Sequence, residues 1–381
     1  MNELKSIISQ YQALKEQDIP CVLATVVHVN GSSYRGAGAR MLVDSYGNIT
    51  GAISGGCLEG DALRKALLVL TNKENKLVKY DTSDENDAVI GAQLGCNGII
   101  QVLFEPLEFS NRYNTCEMLA QLLNKELPAA IVTGFDLDRF QKQAGTQLIL
   151  LEDQTVIAKK DPEEGLLMKC REVLESGSSI FGELGMAMKM RNVFIEYFKP
   201  PIQLVLIGAG NDALILSKQA ELLGWKVIVA DGRPSHANKE RFAGSCQVVV
   251  SKPEEALKDF RIDCRTVFVL MSHNYNYDLA VLKLLLAYPE IPYIGILGPF
   301  KKYDRMIDDL EIEGIRIPED KFSTIYAPVG LEIGAESPAE IGLSVLAEIQ
   351  SVISGKSARP LREKKTPIHE KEGWEFQKLK I

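Results

Sequence analysis

The sequence predicts an α/β protein, with a parallel-sheet carboxy-terminal domain and a smaller, glycine-rich α+β amino-terminal domain. Three observations carry that expectation. From Gln203 onward, short β-branched runs (QLVLI, WKVIVADG, CQVVV, TVFVLMS, PYIGILG) alternate with helical segments, as in a parallel sheet with crossover helices. One of these runs leads into the turn GAGNDA and then a helix. Near the amino terminus, GAISGGCLEGDA also joins a strand to a helix through glycines. A chain of 381 residues predicts two or three domains. The boundaries expected from composition are 1–106, a middle segment 107–199, 200–354, and a charged tail 355–381.

In chain order, Leu4, Ile7, Ile8, Tyr11 and Leu14 give the first segment a helical apolar face. Its acidic residues and interrupted apolar run do not fit a targeting segment, and no stretch approaches the length of a membrane span. CVLATVVHV is a β-rich run, followed by the loop NGSSYRGAGAR and by two strands around the turn in MLVDSYGNITGAIS. LEGDALRKALLVL returns to helical spacing through Leu58, Ala62, Leu63, Ala66, Leu67 and Leu70. GIIQVLFEPL is a strong strand. The middle mixes one helix (TCEMLAQLLNKEL), two strands (AAIVTGF, TQLILLE) and a charged helix-loop region, and Pro200-Pro201 ends it. The tail after Gly355 is expected to be exposed or bound to a partner.

Composition narrows the function. The chain is 46% hydrophobic and 25% charged, an ordinary balance for a packed core, and excludes disordered, collagen-like and coiled-coil classes. A formal charge of −8 disfavours a general nucleic-acid surface. Cys21, Cys57, Cys96, Cys116, Cys170, Cys246 and Cys264 form no C-x-x-C pair, unlike a disulfide framework or zinc ribbon. A reducing, cytoplasmic setting is expected.

Gly208 and Gly210 precede a helix, with Ala213 where a third glycine would stand, and Asp231 ends the next strand at the spacing of a ribose-binding carboxylate. This combination predicts a Rossmann fold, whose helix N-terminus suits an anion. Arg233 leaves a 2′-phosphate open, so NAD and NADP are both candidate ligands. Asp212 puts a negative charge close by. His273 and Asp278 follow the strand TVFVL on the ligand-binding edge; His273 as a phosphate ligand or acid–base group, and as a loop organiser, are both open readings. Lys301 and Lys302 face the same edge. Ser337-Pro338-Ala339-Glu340 has the form of a structural capping box.

Cys57 stands at a predicted helix start, where free N–H groups and the dipole stabilise a thiolate, making it the candidate nucleophile or soft-metal ligand. Glu59 is a candidate proton acceptor or donor beside it. Gly55, Gly56 and Gly60 would let a bulky ligand approach the backbone. Ser32, Ser33, Arg35 and Arg40 supply donors for an anionic group. Cys96 lies in a further glycine turn. If these turns converge, Cys57 and Cys96 form a two-thiol site for a soft metal, a persulfide or a dithiolene ligand; packing as small hydrophobes is the other reading of both.

GSSYRGAGARMLV, SGGCLEG and LGCNG, followed by VLIGAGN, VIVADGRP, MSHNYNYD, YIGILG and APVGLEIGAESPAEIGLSVLAEI, together resemble the XdhC/CoxI family of xanthine dehydrogenase accessory factors in both domains and in order. The resemblance implies a chaperone that binds the molybdenum cofactor (molybdopterin) and protects it while a cysteine desulfurase supplies a terminal sulfido ligand. It also implies delivery to a xanthine dehydrogenase-type molybdoenzyme. The family's SGGC cysteine matches Cys57 and its GLGC-type cysteine matches Cys96. Asn211, Tyr34, Gly36 and Glu332 depart from residues common among relatives. An oxidoreductase using His273, and a non-catalytic bridge between desulfurase and target, are the alternatives. A homodimer is compatible with either.

Overall fold

The computed structural model describes residues 2–31, 33–81, 98–138, 140–184, 191–245, 247–258, 260–365 and 377–379. They form two compact units, one of residues 3–200 with the end of the tail, the other spanning Pro201–Glu363. Among the described residues no helix is long and apolar enough to cross a membrane.

Helix α1 (Asn2–Glu16) buries Leu4, Ile7, Ile8, Tyr11 and Leu14, the stripe its spacing predicts. Strands β1 (Cys21–Gly31), β2 (Arg40–Asp44) and β3 (Ile49–Gly51) follow. The turn between the last two is held by Asp44 Oδ1, which accepts the N–H groups of Tyr46 and Asn48 at 2.9 Å each. Helix α2 (Glu59–Asn72) leads to β4 (Lys76–Asp81) and β5 (Gly98–Pro106), completing an antiparallel sheet in the order β3-β2-β1-β5-β4. Leu58, Ala62, Ala66 and Val69 pack α2 onto Val22, Ala24, Val102 and Phe104. Leu67, expected on that face, is instead exposed. The small alanines draw the helix close along the 62/66/69 line and turn Leu67 outward.

The rest of this unit is a second sheet. Helix α3 (Thr115–Lys125) precedes β6 (Ala129–Phe135), β7 (Gly145–Leu151) and β8 (Val156–Ala158); α4 (Glu164–Ser176) then precedes β9 (Ile180–Glu183) and β10 (Asn192–Phe198). The order is β9-β10-β6-β7-β8, antiparallel throughout, with Gln377–Lys378 of the tail added in parallel outside β9. Helix α4 falls in the expected charged helix-loop region, and the two strands β9 and β10, not expected there, follow it. The tail is also not simply an extension, since Leu379 is buried against Val193 and Ala130. Gly182 makes this possible, because a Cβ there would lie 2.6 Å from Leu379 Cγ. Val27, Leu77 and Leu103 of the first sheet share a core with Phe135, Phe181 and Phe194 of the second.

The second unit contains β11 (Gln203–Ile207), α5 (Asn211–Leu222), β12 (Lys226–Asp231), β13 (Gln247–Val250), β14 (Thr266–Leu270) and α6 (Tyr275–Leu285). It continues with β15 (Tyr293–Ile296), α7 (Phe300–Ile312), α8 (Glu319–Phe322), β16 (Ile325–Tyr326) and α9 (Pro338–Ser354). All strand pairs are parallel. Strand alternation divides the apolar runs between two cores: Leu204, Leu206, Val227 and Val229 face α5 and α9, while Val205, Ile207, Ile228 and Ala230 face α6 and α7. This explains why the runs are apolar throughout. The order β13-β12-β11-β14-β15-β16 reverses direction between β11 and β14, which defines the crevice of a doubly wound sheet, the place where such folds bind ligands. The expected Rossmann-like unit is therefore present, and Ser337 and Glu340 form the expected capping box on α9.

Candidate functional site

The loop from β3 to α2 is organised by one hydroxyl. Ser54 Oγ accepts from the backbone N–H groups of Gly56 (3.2 Å), Cys57 (3.1 Å) and Leu58 (3.1 Å) and donates to Glu59 Oε2 (2.5 Å). Glu59 Oε1 accepts the Ser54 N–H at 2.8 Å. The result is a reciprocal clamp resembling a capping box with a longer loop. Burial alone would raise the Glu59 pKa, but the Ser54 hydrogen bonds outweigh it and hold the carboxyl below its ordinary range. The structure thus engages Glu59 with Ser54. The three amides at the helix entrance are therefore taken by Ser54 rather than free as expected, and Cys57 stands one residue before the N-cap Leu58, exposed and in no disulfide among the described residues.

The loop after β1 meets this one. Arg35 Nη1 donates to both carboxylate oxygens of Glu3, at 2.8 and 2.6 Å, and Glu3 Oε1 also accepts the Ala52 N–H at 2.7 Å. Tyr34, 69% exposed, lies against Gly55, where a Cβ would be 3.1 Å from its ring. Gly56, at φ +108°, and Gly60 have open space where a side chain would be. Ser33 is buried and donates to the Arg35 carbonyl at 2.6 Å, shaping the loop. The two loops between them therefore carry an exposed thiol, bare backbone, an aromatic ring against Gly55 and, through Glu3, a partly exposed guanidinium tied to Ala52.

Arg40 is placed differently. Its guanidinium is buried, donating to Gly38 O (2.9 Å) and to Glu196 Oε1 (3.2 Å) and Oε2 (2.5 Å). Gly38, at φ +90°, allows this approach, since a Cβ would be 2.7 Å from Glu196 Oε1. Desolvation opposes the charge on Arg40, yet Glu196 outweighs it and raises its pKa. Ser32 and Cys96 lie outside the described residues. Among the described residues no cluster of three or more His, Cys, Asp or Glu side chains is arranged to hold a metal.

In the carboxy-terminal unit the ends of β11 and β14 carry the glycine turn and His273. Gly208, at φ +120°, packs directly on the backbone of Met271 and Ser272; a Cβ there would be 2.5 Å from Met271 O. Gly210 caps α5, with the His273 ring 3.6 Å from where its Cβ would be. His273 has φ +58° and lies 3.9 Å from Asp212, with an exposed side chain. Asp231 is buried, and its carboxylate accepts from Ala209 N (2.8 Å) and from Arg233 N (2.9 Å), Nε (2.9 Å) and Nη2 (2.7 Å). Desolvation would raise its pKa; the Arg233 and Ala209 hydrogen bonds win and lower it.

Asp278 is fully buried, pairing with Ser272 Oγ (2.6 Å) and Lys302 Nζ (2.7 Å); Lys302 also donates to Leu297 O (2.9 Å) and so ties α6 to the end of β15, while Lys301 is exposed. Sequence reasoning missed Arg241, which donates to Ala209 O (2.9 Å) and Asn211 Oδ1 (3.0 Å) and braces the glycine turn. No local motif marks it, because it comes from a distant irregular segment.

Two family models match the chain: the XdhC Rossmann domain over residues 204–349 and the XdhC and CoxI family over residues 14–81. A Bacillus subtilis protein named as a probable xanthine dehydrogenase subunit is 32% identical over 337 residues, covering 88% of this chain and 94% of its own. The Escherichia coli molybdenum cofactor insertion chaperone PaoD is 24% identical over 332 residues, covering 87% and 83%. A crystal structure described as a xanthine dehydrogenase from Bacillus halodurans aligns with a TM-score of 0.73 at 27% identity, covering 94% of this chain and 99% of its own.

Proposed function

The chain belongs to the XdhC and CoxI family, and from that premise we propose that it is a molybdenum-cofactor accessory protein. In this reading it holds the cofactor as cargo, shields it while a cysteine desulfurase supplies the terminal sulfur, and hands it to a xanthine dehydrogenase-type molybdoenzyme in the cytoplasm. The relative PaoD, named as an insertion chaperone, supports the class of activity. One observation in this chain carries the reading: the exposed thiol of Cys57 on a loop fixed by Ser54 and Glu59.

Thiolate is a soft donor suited to molybdenum with sulfur ligands. Gly56 and Gly60 leave the backbone open to a bulky pterin. Arg35, held through Nη1 by Glu3, would offer its other guanidinium N–H groups to the phosphate, with Tyr34 offering a stacking face. Arg40, committed to Glu196, keeps the loop in shape. The residues present thus fit the cargo on the thiol side.

The test is purification of wild type and Cys57→Ala with cofactor, analysis of bound molybdenum and pterin, and reconstitution of an apo molybdoenzyme. Wild type is expected to retain and transfer cofactor and the variant to lose most of it. Unchanged loading in the variant removes Cys57 from the mechanism, and absence of pterin from both removes the carrier reading.

A further inference from the structure

The carboxylate of Asp231 has about four lone-pair positions on its two oxygens. Four N–H groups of the protein already point at them, two on Oδ1 from Arg233 N and Nε and two on Oδ2 from Ala209 N and Arg233 Nη2. In a dinucleotide-binding fold the carboxylate at this position accepts the ribose hydroxyls. Here a ribose 2′-OH finds no free acceptor. The end of β12 offers a donor instead, the outer edge of the Arg233 guanidinium.

Of the five guanidinium N–H groups, those on Nη1 make no hydrogen bond among the described residues, and the side chain is 45% exposed. The bidentate contact with Asp231 fixes the plane of the fork, so little ordering remains when a ligand arrives. Further along the same segment, Ser235 Oγ and His236 Nδ1 lie 3.0 Å apart at the surface. The glycine turn and the reversal of strand order between β11 and β14 provide the accompanying crevice.

The geometry points to an adenine nucleotide whose ribose carries a 2′-phosphate, as in NADP, as the ligand of the carboxy-terminal unit, in preference to its unphosphorylated counterpart. Arg233 is the specificity-determining residue. Asp231 acts through it, as a positioning residue. This assignment is independent of the cofactor-carrier reading, which concerns the other unit.

The full chain would be titrated calorimetrically with 2′,5′-ADP, 3′,5′-ADP and 5′-AMP, and then with NADPH and NADH. Removing charge-assisted hydrogen bonds of this kind alters affinity about 10- to 100-fold. 2′,5′-ADP is therefore expected to bind tighter than 5′-AMP, and NADPH tighter than NADH, by that factor. Added salt should shrink the preference. Arg233→Ala should erase it, and Arg233→Lys, which keeps the charge without the fork, should retain part of it. Equal binding within each pair, a preference for NADH, or no binding of any nucleotide at millimolar concentration would overturn the assignment. Tightest binding of 3′,5′-ADP would overturn it in favour of a coenzyme A-type ligand. If Arg233→Ala does not fold, the wild-type ratios decide.

Discussion

Arg40→Ala is expected to destabilise the amino-terminal unit without acting through a ligand. Arg40 and Glu196 are 6% and 13% exposed, and the pair is bidentate. Removing one partner of a buried pair leaves the other charge desolvated, at a cost of about 3–5 kcal/mol. For a unit of this size each kcal/mol lowers the melting temperature by about 2–4 °C, so the expected drop is roughly 6–20 °C. Glu196→Gln should cost a similar amount. The pair itself need not be strongly stabilising, because Arg40 Nε has no hydrogen-bond partner among the described residues and both ions have lost water. A double replacement by Met and Leu should therefore cost less than either single change. Thermal denaturation of the four proteins, closed as a double-mutant cycle, measures this directly. If Arg40→Ala left the melting temperature unchanged and abolished cofactor loading, Arg40 would be an anion contact and the packing argument would be refuted.

Ser54→Ala removes the acceptor for three amides and a donor to Glu59, so α2 should lose about 0.5–2 kcal/mol; amide exchange at 56–58 should speed up, and unchanged exchange would contradict the clamp. The lowered carboxyl pKa of Asp231 contributes stability that is fully present above its unfolded value of about 3.9 and is lost as pH falls through the lower folded value. Asp231→Asn should thus flatten the acid limb of the stability profile of the carboxy-terminal unit, and an unaltered limb would count against the assignment. Leu379→Ala should cost about 2 kcal/mol and loosen β9, since it empties the socket above Gly182. Unchanged hydrogen exchange of β9 would show that the tail does not brace the sheet.

The carboxy-terminal unit was legible because its strands are apolar on both faces and its turn needs glycine at Gly208, where any side chain would meet the backbone of Met271. What composition and spacing could not reveal was how the charged groups pair. Arg40 and Glu196 are far apart in sequence, as are Glu3 and Arg35, and no periodicity links them. Asp231 was found by its spacing, whereas its saturation by Arg233 became visible only in the hydrogen bonds. Two glycine loops meet at Tyr34 and Gly55, whereas the convergence on which a two-thiol site was conditional involves Cys96, which lies outside the described residues. Strands β9 and β10 were missed because polar and glycine-containing flanks hid the run NVFIEYF, and the tail because a few residues docking on a distant edge leave no local signal.

Alkylation of individual cysteines, followed by mass spectrometry with and without molybdenum cofactor, tests the central assignment most directly. Cys57 and Cys264 are exposed, whereas Cys21, Cys116 and Cys170 are buried and should label slowly in both conditions. Cofactor is predicted to protect Cys57 and leave Cys264, in the other unit, at its original rate. Equal labelling of Cys57 with and without saturating cofactor would contradict the account.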